Sequence, residues 1–365
     1  MAEDAIGADG ACAPSSRLST AAQVVSGFAQ AAERLERHGV SVEDVRVLAD
    51  AGVLTAGIGD HWSPAEVREI QEQLAAASGS LWFVMAQHRS PAIAAATTIN
   101  QDLRARYAEG LASGRLLGAV SFAHLRRTRP TVVADRADGG WSISGRLDWI
   151  TSWGLADVLL LMAETNEGSV VQALLPARER AGLTVTGELS LAAMQGTSTV
   201  GAVLERLFIA DSEVAHVVPK RDWSVSDRQR TANTPPNVVG LARAALNSLV
   251  LEAGQRQWAE AAELGGLWRS QLVEQRARAY QLSDEVDPSE KLSERRALRA
   301  SLTKLALDAT KALITVQAGR AMLTSSSAQR WAREAMFALV QAHTADTRNA
   351  LIAAYRAGAT GAAAR

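Results

Sequence analysis

The sequence predicts a mainly α protein with a central β domain, and two observations carry that expectation. From Thr20 to about Gly114, and again from Pro236 to about Ala357, apolar residues recur at steps of three and four, as they do along one face of a helix. Between these stretches, from Leu117 to about Trp223, β-branched residues alternate with polar ones and glycines punctuate, as in strands and turns. The expected division is a flexible tail over 1–18, an N-terminal helical domain over 19–116, a β domain over 117–223 and a C-terminal helical bundle over 224–365.

The first eighteen residues are small, aperiodic and rich in Gly, Ala, Ser and Pro, which places the tail there. In the first helical stretch, Val42, Val45 and Leu48 form one apolar set, and Leu81, Val84 and Met85 another. Ser41 precedes the first set as a cap, and Glu43 and Asp44 fall where the helix dipole favours acids. In the β stretch, Thr131-Val132-Val133, the turn Asp138-Gly139-Gly140 and the alternating run Trp141 to Gly145 read as a hairpin. The apolar runs Val158 to Met162 and Val170 to Leu175 read as buried strands, and Thr184 to Thr186 and Val203 to Ile209 as further ones. Pro288 and Ser289 mark a break between two long helices near the C-terminus.

Composition removes several function classes. Lys and Arg number 38 against 39 Asp and Glu, so the formal net charge is −1 and no basic excess invites nucleic acid or an anionic membrane surface. No run is long and apolar enough to span a bilayer, and no secretory signal is expected at the N-terminus. Cys12 is the single cysteine, so no internal disulfide forms and a reducing, cytoplasmic setting fits. The six histidines lack metal-ligand spacing, and there is no GxGxxG after a strand, no Walker loop and no GxSxG elbow.

The run Gly140-Trp141-Ser142-Ile143-Ser144-Gly145-Arg146-Leu147-Asp148-Trp149-Ile150-Thr151-Ser152, with Ala156-Asp157 after it, resembles the acyl-CoA dehydrogenase superfamily. Leu147 stands where that family usually has lysine. The resemblance implies a helical domain, a β-barrel-like domain and a C-terminal four-helix bundle, with Trp149 and Thr151 beside the ring of FAD. Further matches follow in order. Gly240 to Leu246 is similar to the start of the family's first C-terminal helix. Sixteen residues on, Arg256 stands where an arginine contacts the FAD of a neighbouring subunit; a guanidinium suits a pyrophosphate because it is planar and permanently charged. The family's Phe-Gly after that arginine is replaced by Ala259 and Glu260. Gln317 and Gly319 match a loop that approaches the adenine half of FAD, and Gln329 to Ala335 resembles R-x-x-R-D-A with Glu334 for Asp.

Two family features are missing. Dehydrogenation of an acyl thioester needs a base for the α-proton. The two positions where the resemblance places a glutamate hold Ala342 and Arg230. The Gly-rich phosphate loop is replaced by Ser121 to Pro130, in which Ser121 keeps a hydroxyl and Arg126, Arg127 and Arg129 add charge. These losses resemble the two-component flavin-dependent monooxygenases of the superfamily, which take reduced flavin, as FAD or FMN, from a separate reductase. Ser325 to Arg330 and His343 are similar to that branch. The resemblance then implies oxidation of a small-molecule substrate, with His343, Ser121 or His124 as catalytic donor, in a homo-oligomer (tetramer or dimer). An acyl-thioester dehydrogenase with an atypical base and a non-catalytic partner subunit of a heteromeric dehydrogenase remain as alternatives. Trp82, Phe83, Met85, His88 and Phe337 are candidates for the substrate pocket, although such sets in helices more often form core.

Overall fold

In the computed structural model, which describes residues 15–59 and 61–362, the chain runs helices, then strands, then helices. Five helices come first: α1 (Ser16–His38), α2 (Val42–Asp50), α3 (Pro64–Ala77), α4 (Gly79–Thr97) and α5 (Gln101–Ala112). Residues 1–14, with Cys12, lie outside the described residues. α1 begins at Ser16, inside the stretch read as a tail, because the Ser15 hydroxyl accepts from Leu18 N at 3.2 Å and caps it. α2 starts as its sequence suggests. Ser41 Oγ accepts from Asp44 N at 3.1 Å while Asp44 Oδ2 accepts from Ser41 N at 2.8 Å, so two orphan donors are satisfied reciprocally. α4 is apolar nearly all round, and Leu81, Trp82, Val84 and Met85 are buried in a core shared with the sheet. These residues are core, not free pocket lining.

Eight strands form one mixed sheet: β1 (Gly118–Ser121), β2 (Val132–Ala137), β3 (Gly140–Ile150), β4 (Val158–Thr165), β5 (Ser169–Pro176), β6 (Leu183–Glu188), β7 (Val200–Ala210) and β8 (Val214–Pro219). The path is β6-β7-β3-β2-β4-β5-β8. β1 runs parallel to the first half of β4, and β2 pairs with its far end. The β2–β3 hairpin turns at Asp138-Gly139, where Gly139 takes φ +69°, a conformation glycine adopts without steric cost. Inside β3 the pairing with β7 shifts register between Ile143 and Gly145. Gly145 sits at φ +142°, and an added Cβ would stand 2.1 Å from Thr131 O.

The last helices are α6 (Lys220–Ala232), α7 (Pro236–Gln255), α8 (Ala259–Glu285), α9 (Leu292–Gln317), α10 (Ser327–Ala338) and α11 (Ala345–Ala362). α6 is not legible in the sequence, because Lys220 to Ala232 is mostly polar and carries no apolar stripe. α9 is the axis of the bundle and packs against α7, α8, α10 and α11. Leu246, Leu249, Leu302 and Leu313 are fully buried there, each contributing about 2 kcal/mol of apolar transfer. The bundle meets the first domain where Gly240 of α7 touches α3; an added Cβ would stand 2.0 Å from Glu72 O. The Glu72 carboxylate is fully buried in that seam. It accepts from Arg276 Nε at 2.9 Å and Tyr280 Oη at 2.6 Å, with Arg243 at 3.3 Å. Among the described residues no helix is long and apolar enough to cross a membrane.

Candidate functional site

Ser121, His124 and Trp149 meet where the end of β1 lies beside Leu161 and Met162, midway along β4. Ser121 closes β1, and its buried hydroxyl donates to Trp149 O at 3.3 Å. His124 follows in a short 3-10 turn (Ala123–Arg126). Its Nε2 lies 2.9 Å from Met162 O. A carbonyl only accepts, so Nε2 carries the proton. Burial pushes the His124 pKa down to about 4, so the ring is neutral at pH 7. Trp149, at the end of β3, is 50% exposed, so part of its aromatic surface reaches solvent.

Thr151 is buried, and its hydroxyl belongs to a chain of three. Thr197 Oγ1 donates to Met194 O at 2.8 Å, which commits its single proton. Thr199 Oγ1, 2.8 Å from Thr197 Oγ1, must then donate to it, and Thr151 Oγ1 must donate to Thr199 Oγ1 at 3.1 Å. Thr151 therefore keeps only lone pairs for any further partner.

His343 lies in the loop between α10 and α11, buried, with Nε2 3.0 Å from Ala338 O. By the same logic Nε2 is the donor, and Nδ1 is a buried acceptor with no partner. Burial, then the charge of Arg299, pushes the His343 pKa down to about 4. Each of the three expected donors, His343, Ser121 and His124, has its proton directed at a backbone carbonyl, and His343 Nδ1 is a buried acceptor.

Arg256, Gln317 and Gly319 lie elsewhere. Arg256 Nε is 3.6 Å from Glu252, which also accepts from Gln317 Nε2 at 3.2 Å and from Arg320 Nη2 at 2.6 and 2.7 Å. Gly319 has open space where a Cβ would be. This cluster sits at the C-terminal end of α9, whereas Arg299, which bonds the loop carrying His343, is near its start. Eighteen residues of helix separate Gln317 from Arg299, about 27 Å at 1.5 Å per residue. One protomer therefore does not bring the two groups together.

The positions implied for a glutamate base hold no carboxylate. Ala342 sits in the α10–α11 loop at φ +51°. Arg230 donates to Asp227 at 2.8 Å. Asp227 is itself fully engaged, since Arg126 Nε and Nη2 also each donate to it at 2.8 Å. Burial alone would raise its pKa, but the Arg126 bonds and the two guanidinium charges outweigh that and hold it below the usual carboxylate range. Asp227, Arg299 and Phe122 were invisible as site residues in the sequence, since more than a hundred residues separate some of them. Of the pocket candidates, Phe83 packs edge-on against Phe337 at 4.9 Å. His88 bridges Leu111 O (2.9 Å) and Gly118 N (3.0 Å) as a strut. The Glu334 carboxylate accepts from Gly79 N and Arg330, and Arg333 binds Glu36, so the R-x-x-R-E-A run ties α10 to α4 and α1. Open clefts of ≈ 540 and ≈ 310 Å³ lie near Trp62 and near Arg333, and none of the expected site residues lines either. No group of three His, Cys, Asp or Glu suited to a metal occurs among the described residues.

No family model matches the chain. A mitochondrial 2-methylacyl-CoA dehydrogenase of Solanum tuberosum is 28% identical over 120 residues, 31% of this chain and 29% of that protein. The benzylmalonyl-CoA dehydrogenase of Aromatoleum aromaticum is 27% identical over 130 residues, 34% of each. The chain thus matches about a third of the length of these curated relatives. Butyryl-CoA dehydrogenase from Megasphaera elsdenii superposes with TM-score 0.79 over 94% of this chain and 99% of that one, at 14% identity. The fold is that of the acyl-CoA dehydrogenases. Within the acyl-CoA dehydrogenase fold, structural neighbours also include the FAD complex of PigA (TM-score 0.74, 17% identity, 95% and 99% covered). Another is the dibenzothiophene monooxygenase TdsC from Paenibacillus sp. A11-2 (TM-score 0.70, 18% identity, 92% and 95% covered).

Proposed function

We propose that this chain is a flavin-dependent oxidoreductase that uses reduced flavin and oxygen on a small organic substrate, with the flavin reduced by a separate reductase in the cytoplasm. The observation that carries this reading is the missing base. Ala342 and Arg230 occupy the positions implied for it, and Asp227 has both oxygens engaged by arginines. A base contributes ~100-fold to ~10,000-fold to proton abstraction, so acyl-thioester dehydrogenation is disfavoured.

The chain's own residues fit a flavin ring at the end of β3. Trp149 offers a half-exposed indole, and Thr151 offers an acceptor whose proton is turned inward. A reduced flavin, unlike an oxidised one, carries N5–H and is a donor there; it supplies electrons for oxygen activation. His343 Nδ1 would accept an O–H or N–H from the substrate, and burial of Ser121 and His124 excludes water. The resemblance brings Arg256 and Gln317 to the flavin of a neighbouring chain, which calls for a homotetramer, or a dimer of that type. Leu251, Leu267, Met336 and Val340, 50–70% exposed on the bundle, are apolar surface of the kind such an interface covers.

The test supplies the protein with a flavin reductase, NADH, oxygen and a panel of aromatic and acyl substrates, and in parallel with acyl-CoAs and an artificial acceptor. Oxygen-dependent turnover in the first arm is expected. Acyl-CoA oxidation without oxygen contradicts the reading. Activity only after a homologous chain is added contradicts it in favour of a partner subunit.

A further inference from the structure

Two guanidiniums bind the carboxylate of Asp227, and the charge of a third, Arg299, acts on both Asp227 and His343. Arg126 and Arg230 stand over the same Phe122 ring, 5.2 and 5.5 Å from its centroid, and both donate to Asp227. Arg299, 3% exposed, donates to Thr231 O at 2.5 Å and Gln341 O at 2.9 Å, and among the described residues no carboxylate pairs with it. The cluster thus keeps two net positive charges. Burying an unpaired cation is costly. Burial and the nearby Arg126 push the Arg299 pKa down to about 10 despite Asp227.

Buried arginines in this bundle need not be left open. Arg295, four residues earlier on α9 and 2% exposed, directs its guanidinium to Asn233 Oδ1 and to the carbonyls of Leu282, Val286, Asp287 and Glu290. It satisfies the C-terminal end of α8 and leaves no donor nitrogen unused. Arg299 differs. Its Nε–H is buried without a partner, and so is Nδ1 of His343 two residues beyond Gln341. In a well-satisfied interior such orphans call for an explanation.

We propose that Arg126, Arg230, Arg299 and His343 form a binding site for one oxyanion, the carboxylate or phosphate of an organic ligand. Arg299 Nε–H supplies a buried charge-assisted donor, while Arg126 and Arg230 supply further charge from the partly exposed side. His343 Nδ1 takes the remaining contact, from a hydroxyl of the ligand or by gaining the proton that the anion favours. Asp227 fixes the two outer guanidiniums without neutralising the cluster. The site stands on these side chains and needs no flavin. Its anion has two sources, a carboxylate on the substrate or the phosphate of the flavin itself.

Flavin-free full-length protein in low-chloride buffer is titrated by calorimetry with benzoate and its neutral counterpart benzamide, and with FMN and its phosphate-free counterpart riboflavin. The parent is expected to prefer the anion of at least one pair by about ten-fold, the worth of one charge-assisted hydrogen bond. Arg299→Met should abolish that preference, and the surface variant Arg230→Gln should reduce it several-fold with unchanged circular dichroism. Should Arg299→Met not fold, Arg230→Gln alone decides. Loss of the benzoate preference assigns the site to a substrate carboxylate, and loss of the FMN preference assigns it to the flavin phosphate. Equal affinity within both pairs, or preferences that the folded variants keep, overturns the proposal.

Discussion

Asp227→Asn is the substitution whose consequences the structure specifies most fully. The side chain is 3% exposed and receives three hydrogen bonds of 2.8 Å from Arg126 and Arg230. Asparagine keeps the volume but removes the charge, and its amide NH₂ then faces a guanidinium, donor against donor. Removing one partner of a buried ion pair costs about 3–5 kcal/mol. The lower end applies here, because the Arg126 side chain is 16% and the Arg230 side chain 54% exposed, so water takes over part of the lost solvation. With an unfolding entropy of ~2.1 cal/mol/K per residue over the whole chain, a loss of about 3 kcal/mol lowers Tm by about 4 °C. The pH dependence has a defined sign. The folded pKa of Asp227 lies below its unfolded value, so its stabilisation is present above the ordinary Asp value and is lost as pH falls through the folded one. The variant should therefore differ from the parent at pH 7, and the gap should be smaller at pH 3, below the ordinary Asp value. Urea unfolding followed by circular dichroism at both pH values measures this. A variant within 0.5 kcal/mol of the parent at pH 7, or a gap no smaller at pH 3, would refute the view that Asp227 clamps the two arginines.

Two further outcomes follow from buried groups. His88 and His124 are neutral in the fold, with pKa values pushed down to about 4 by burial, so each takes up a proton on unfolding as pH falls below 6.5. Stability should fall by roughly 2 kcal/mol per histidine between pH 7 and pH 5, and a flat urea midpoint over that range would contradict it. Gly240→Ala should destabilise by about 2–3 kcal/mol, because its methyl group would sit 2.0 Å from Glu72 O and force α3 and α7 apart. Gly254→Ala, with open space at its Cβ, is the control that should leave the urea midpoint unchanged or raise it.

The sequence exposed those parts of the fold that local chemistry dictates. Ser41 capping α2, the turn at Asp138-Gly139 and the alternation of Trp141 to Gly145 each rest on neighbours within a few residues. Helix α6 escaped because Lys220 to Ala232 is polar, and its position is set instead by Asp227 binding Arg126 a hundred residues earlier. One motif was enough to bring Trp149 and Thr151 forward as candidates. The direction of the Thr151 proton was not, since it depends on Thr199, Thr197 and a carbonyl in a different loop. The separation of Arg256 and Gln317 from His343 by the length of α9 is likewise a property of packing that sequence order does not display.

The most direct test of the account is the affinity of the protein for reduced against oxidised flavin, titrated anaerobically with FAD and FMN. The Thr151 oxygen has only lone pairs to offer and complements the N5–H present in the reduced form alone. One such hydrogen bond is worth about 1.4 kcal/mol, or ten-fold in Kd. The account expects reduced flavin to bind about ten-fold more tightly, and Thr199→Val, which frees the Thr151 proton, to erase the preference. Tighter binding of oxidised flavin by the parent, or no binding of either form, would contradict it.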